Sequence, residues 1–359
     1  DYLALLRWGA LGNFKKLATK MVLDNIMLRY LNNNENTASN PNENFAREFL
    51  ELFTIGKGPQ IGPGDYTNYT EDDIVEAAKV LTGFRIRPNR DEVDTETGIP
   101  RGGVNPAQHA TGNKTFSAHF QGTVIAGEAN PTINGMWAEL GAFVDMIFAQ
   151  PETAKNLCRR LYRYFVNRNV TDEIENDIIG PLSSTLISNN YEIKPVLEQL
   201  LQSEHFFDVD DSDNTDEIIG GIIKSPLDLT LQALSFFDVA IPDPMTQNTA
   251  HYLLFYSAAL LERALGSANL PIFNPSDVAG YPGLYSDPDF SRQWFNSSTI
   301  IARYKVPAML LTGTRQFGGG NPNIPIGIKL DIAPWVKNSG FFTDPSDPYL
   351  LVQELLAYM

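Results

Sequence analysis

Positive charge, sulfur and long apolar runs are what this chain has least of. Cys158 is the one cysteine, so no intramolecular disulfide forms and zinc sites built from several thiolates are excluded. It lies in an apolar helical pattern and reads as a buried, inert thiol. Only 27 Lys and Arg stand against 43 Asp and Glu, a net charge of −16. Such a surface repels phosphate backbones and anionic lipid, which disfavours nucleic acid and electrostatic membrane docking. Cationic ligands, divalent metals and neutral polymers are the easier partners. No apolar run approaches the ~18 residues a membrane span needs, so no transmembrane segment is expected. Also missing are a Gly-x-Ser-x-Gly elbow, a His-Glu-x-x-His pair, a Walker loop and a Gly-x-Gly-x-x-Gly turn after a strand. Sustained period-two alternation is absent too, and no solenoid-length repeat is visible.

What is present is a 43% hydrophobic, 359-residue chain with apolar residues at helical spacing, enough for a sizeable core. The pattern predicts two or three helices over 2–31 and a well-signalled one over 40–56. Asn40 suits its cap, Pro41 its first position, Glu43 a capping box and Gly56 its stop. At 100° per residue Phe45, Ala46, Phe49, Leu52 and Phe53 share a face, with Glu48 at its margin and Glu51 pointing away. Thr70 with Asp73 opens a further helix that Gly83 ends. Further helices are expected at 135–148, 152–167, 172–179, 181–188, 193–203, 225–239, 249–265, 297–311 and 349–359. Residues 84–131, 208–217, 269–295 and 313–334 read as loops. The expected fold is mainly α, a multi-helix globular bundle with long irregular loops and few or no strands. One large domain over 1–359 is expected, with an optional division at 130/131. The chain starts in mid-pattern without Met and ends in a helix, so both ends are expected to be trimmed.

Glu48 and Glu51, one turn apart, could act with His109 from the irregular segment as catalytic acids and bases. Joined by Glu76, the same groups could ligate a divalent metal. Structural roles compete: Glu48 pairing with Arg47, Arg85 or Lys114, and Glu51 solvated unless the segment carrying His109 covers it. Asp208, Asp210, Asp211, Asp213, Asp216 and Glu217 would attract calcium but fit no EF-hand register, and read as a solvated loop. Tyr281, Tyr285 and Trp294, with Asp277, Asp289 and Asn296, could form a sugar-binding platform or pack a loop onto the core. Arg159, Arg160 and Arg163 favour salt bridges over anion binding.

Several of these blocks carry a resemblance. Asn42-Glu43-Asn44-Phe45-Ala46-Arg47-Glu48, then Leu50-Glu51-Leu52-Phe53-Thr54-Ile55-Gly56, resembles the most recognisable string of the bacterial family catalogued as domain of unknown function 1800. Tyr69 to Phe84, and Phe273 to Ser297 with Tyr281 where Trp is common, resemble two further blocks. The resemblance implies export to the periplasm or cell surface and a sulfatase-like neighbour as partner; it supplies no catalytic residues. Where the family commonly has His-Asp before Gly-x-Lys, this chain has His109-Ala110, then Gly112-Asn113-Lys114. Two functions follow: a binding or assembly module of the cell envelope, taking polysaccharide or a partner protein, or a hydrolase or metal-dependent enzyme using Glu48, Glu51 and His109.

Overall fold

Helical periodicity governs the chain's architecture, and the computed structural model describes it for residues 1–207, 221–239, 241–252, 265–272, 274–312 and 332–358. The chain is mainly α, as its patterning predicts. Two compact units emerge, Asp1–Ile219 and Gly220–Met359.

In the first unit the helices are α1 (Tyr2–Gly9), α2 (Phe14–Met21), α3 (Asn25–Tyr30), α4 (Asn44–Glu48), α5 (Glu71–Val80), α6 (Ile133–Phe148), α7 (Pro151–Phe165), α8 (Asp172–Ile174), α9 (Gly180–Ser188), α10 (Ile193–Leu201) and α11 (Glu204–Phe207). Several of them start where a side chain takes up an orphan N–H. Asn13 caps α2, Asp24 caps α3 and Thr132 caps α6. Thr70 and Asp73 form a reciprocal capping box at α5, the start their spacing predicts. Between the helices lie three two-stranded antiparallel pairs: β1 (Gln60–Gly62) with β2 (Asp65–Tyr66), β3 (Phe84–Arg85) with β4 (Gly103–Val104), and β5 (Lys114–Thr115) with β6 (Val124–Ile125). The stretch 84–131 is therefore short strands and turns sewn to the helices. Gly83 turns the chain into it at φ +81°, where a side chain would also strike the Asn105 carbonyl at 2.7 Å.

The helix expected from Asn40 starts later and changes character. Asn42 turns the chain, its side chain accepting from the Asn44 N–H at 3.0 Å, and α4 begins only at Asn44. After Glu48 the chain runs as a π-turn, Phe49–Phe53, before Gly56 stops it at φ +79°. That wider turn breaks the 100° rule. Leu50 joins Phe45, Ala46 and Phe49 in full burial, while Leu52 and Phe53, expected on the core face, are only partly buried.

One apolar core runs through the unit from Leu5 to Leu200. It crosses the optional break at 130: Phe143 of α6 lies 5.7 Å from Phe49 and 5.9 Å from Phe116, ring centre to ring centre. Cys158 is buried here and desolvation pushes its thiol up to about 12, which makes it inert at neutral pH.

The second unit contains α12 (Pro226–Phe236), α13 (Asn248–Tyr252), α14 (Pro282–Tyr285), α15 (Thr299–Thr312), α16 (Ile332–Asn338) and α17 (Pro348–Tyr358). Leu265, Leu270 and Trp294 form a small core beside which Tyr281 packs. A second aromatic group joins Phe236, Phe237, Trp335 and Phe341. The acidic loop 208–217, most of the helix expected over 249–265, and nearly all of the 313–334 loop lie outside the described residues. Among the described residues no helix is long and apolar enough to cross a membrane.

Phe143→Ala should lower the unfolding free energy by about 3–5 kcal/mol, the range for emptying an aromatic site in a packed core. Urea or guanidinium denaturation checks this; a loss under about 1 kcal/mol would mean that Phe143 is not at the centre of the core.

Candidate functional site

Of the residues expected to carry chemistry, His109 is the most firmly placed, and its partners were not foreseen. Its ring lies between the chain after α5 and the buried face of α6. Nδ1 donates to the Thr82 carbonyl at 2.8 Å. Nε2 donates to Glu139 Oε2 at 3.1 Å. Thr82 Oγ1, 3.2 Å from Nδ1, gives its own proton to the Lys79 carbonyl and so is an acceptor as well. With acceptors on both sides, the imidazole donates from both nitrogens. The same Glu139 oxygen accepts from Lys114 Nζ at 2.5 Å, and Lys114 donates also to the Ala110 carbonyl at 2.8 Å.

These groups are shut away: the Lys114 and Glu139 side chains are 0% and 3% exposed. Burial pushes the Glu139 carboxyl up, but the hydrogen bonds from His109 and Lys114 outweigh it and hold the group below its ordinary value. Glu139 was missed because it lies 30 residues from His109 and only the packing of α6 brings the two together. A signal existed: it is the lone acid among Met136, Leu140 and Phe143 on the buried face of α6.

The other expected residues lie apart from this network. Glu48 is half-buried. Arg85 donates to Gln108 and to the Asn34 and Asn36 carbonyls, and Lys114 to Glu139. Glu76 takes Lys79 at 2.5 Å and the Thr115 N–H at 3.0 Å. No group of three or more His, Cys, Asp or Glu among the described residues is arranged to hold a metal ion, and Glu48, Glu51, Glu76 and His109 are all described.

Glu51 is not covered by the His109 segment. It projects from the π-turn toward Lys57 and Tyr69, at 3.7 and 3.5 Å, within a half-exposed polar surface. Arg47 clamps Glu71 through both terminal nitrogens at 2.9 and 2.8 Å, and the Tyr66 hydroxyl donates to Glu71 at 3.0 Å. Those hydrogen bonds hold the Glu71 carboxyl below its ordinary value. Burial, reinforced by the Glu51 charge, pushes the Tyr69 hydroxyl up, so it stays a donor at neutral pH. The sequence pointed to Glu51; Lys57, Tyr66, Tyr69 and Glu71 were missed, because a loop and a hairpin bring them in.

In the second unit the proposed sugar platform is engaged in packing. Trp294 is buried, with Gly283 held against its indole. The Tyr281 hydroxyl donates to the Pro271 carbonyl at 2.6 Å. Asn296 Oδ1 accepts from the Ser298 and Thr299 N–H groups, forming the turn that opens α15. Arg303 donates to the Lys224 carbonyl rather than to an acid of that loop. Back in the first unit, Arg159 forms salt bridges as expected, bidentate to Glu175 and also to Glu152.

The family model described as "Protein of unknown function (DUF1800)" matches residues 1–359. The chain belongs to the DUF1800 family. No curated protein and no solved structure matches it. In this DUF1800 chain, position 110 enters the network through its backbone alone, the carbonyl accepting from Lys114 and the N–H donating to Thr82 Oγ1. One carboxylate oxygen, Glu139 Oε2, serves both His109 and Lys114.

Because its folded-state pKa is depressed, Glu139 adds stability that is complete above its ordinary value of 4.5 and is lost as pH falls through the folded value. Glu139→Gln should cost about 3 kcal/mol at pH 7, since it leaves the buried Lys114 ammonium without its counter-charge. It should also flatten the fall in stability below pH 4.5. Denaturation midpoints from pH 3 to 7, expected to converge between the two proteins at the acid end, check this; parallel curves would remove Glu139 from the acid response.

Proposed function

We propose that this chain is a binding or assembly module of the bacterial envelope, taking a polysaccharide or a partner protein such as the sulfatase-like neighbour, and is not a hydrolase. The observation that carries the reading is the burial of His109 with both ring nitrogens engaged. A hydrolase built on Glu48, Glu51 and His109 needs that imidazole within reach of substrate. What the signature stretch and its neighbours offer to solvent instead is a surface of mutually positioned charges: Arg47 between Glu71 and Glu43, and Lys57 beside Glu51. Fixed polar groups suit recognition, which asks for pre-organisation rather than proton transfer. The envelope setting and export rest on the family resemblance alone.

The test is calorimetric titration of the purified chain with bacterial surface polysaccharides and with the separately purified sulfatase-like protein, alongside a reducing-end assay on the same polysaccharides. Saturable binding of one of them without release of new reducing ends is expected. Turnover that disappears in His109→Asn, in a variant that still folds, would establish the hydrolase instead.

A further inference from the structure

We infer that the surface at Glu51 is a site for a neutral, hydroxyl-rich ligand, engaged through a vicinal diol of a saccharide. This rests on the module reading above and names the atoms that would make contact.

The site is built by the π-turn. A wider helical turn rotates each following side chain away from its α position, and such turns recur at functional sites. Here the turn is held in place by the Thr54 hydroxyl, which donates to the Phe49 carbonyl at 2.7 Å, and by the Gly56 N–H on the Leu50 carbonyl at 2.9 Å. Glu51 leaves the turn 31% exposed, beside Lys57 at 33%.

Hydrogen-bond accounting identifies what is available. Both contacts to Glu51 use Oε2 and both are long, at 3.5 and 3.7 Å. Oε1 takes no hydrogen bond among the described residues. Lys57 Nζ lies 4.4 Å from the centre of the Tyr66 ring and also makes no hydrogen bond among them. An acceptor and a donor thus stand side by side, each lacking a short partner. Two adjacent hydroxyls on one ring match that pair: one donates to Glu51 while the other accepts from Lys57.

Charge selects the ligand class. Lys57 stands beside Glu51 and Arg47 is shared by Glu71 and Glu43, so three acids face two bases: an anionic ligand would have to displace Glu51 from Lys57, and a cationic one Lys57 from Glu51. A neutral diol needs no such displacement. The Tyr66–Tyr69 pair, centroids 5.9 Å apart, fixes the floor on which Lys57 rests.

The experiment is titration of the whole chain with neutral gluco-, manno- and galacto-oligosaccharides, followed by saturation-transfer NMR and calorimetry. A sulfated oligosaccharide and an oligolysine peptide serve as charged comparators. At least one neutral saccharide should bind saturably, and the same saccharide should stop binding once periodate has cleaved its vicinal diols. Glu51→Ala and Lys57→Ala should each weaken binding about tenfold, the effect of one hydrogen bond to a charged group, with unfolding midpoints unchanged. Glu51→Gln, which keeps an acceptor without the charge, should fall between. Binding unaltered in both alanine variants would overturn the site while leaving the module reading intact. Binding of the charged probes alone would overturn the ligand class. A wild-type chain that binds none of the saccharides sinks the diol proposal and leaves the partner protein to carry the module reading.

Discussion

One carboxylate oxygen, Glu139 Oε2, holds the first unit together where its sequence is least regular. The strands between α5 and α6 are two residues long and could not persist on their own. Lys114 begins β5, His109 lies ahead of it, and both are tied to α6 through that oxygen. A buried ion pair is a poor source of net stability but a strict one of geometry, since any displaced arrangement strands a charge in the core. The network fixes where the segment sits, and the aromatic core around Phe116 and Phe143 then stabilises it.

Local signals were legible and long-range ones were not. Thr70 and Asp73 are three residues apart, and their reciprocal cap follows from sequence alone. Cys158 and the Arg159 salt bridges were equally readable, because an apolar helix face and an acidic excess determine them. Glu139 sits 30 residues from His109, and only the packing of α6 brings them together. The cap at Asn40 failed for a local reason: Asn42 competes for the same turn and starts the helix later. The late aromatics were open to two readings, and the structure engages Trp294 and Tyr281 in packing.

The chain's two polar assemblies differ in kind. His109, Lys114 and Glu139 form a closed set, each donor directed inward. Arg47, Lys57, Glu51 and Glu71 form an open set, ordered by mutual pairing yet facing water. The first contains a histidine, the side chain whose ordinary pKa suits acid–base chemistry near neutral pH. The two differ in accessibility: His109 and Lys114 are buried, while Glu51 and Lys57 are about one-third exposed.

The π-turn at Phe49–Phe53 gives one short segment two phases. Up to Glu48 the side chains keep the beat of an ordinary helix, and beyond it they keep another. A substitution before the turn and one after it therefore answer to different neighbours, although they stand a few positions apart. Phe49 and Leu50 belong to the same turn as Glu51, so the core contacts of those two side chains also set where that carboxylate faces.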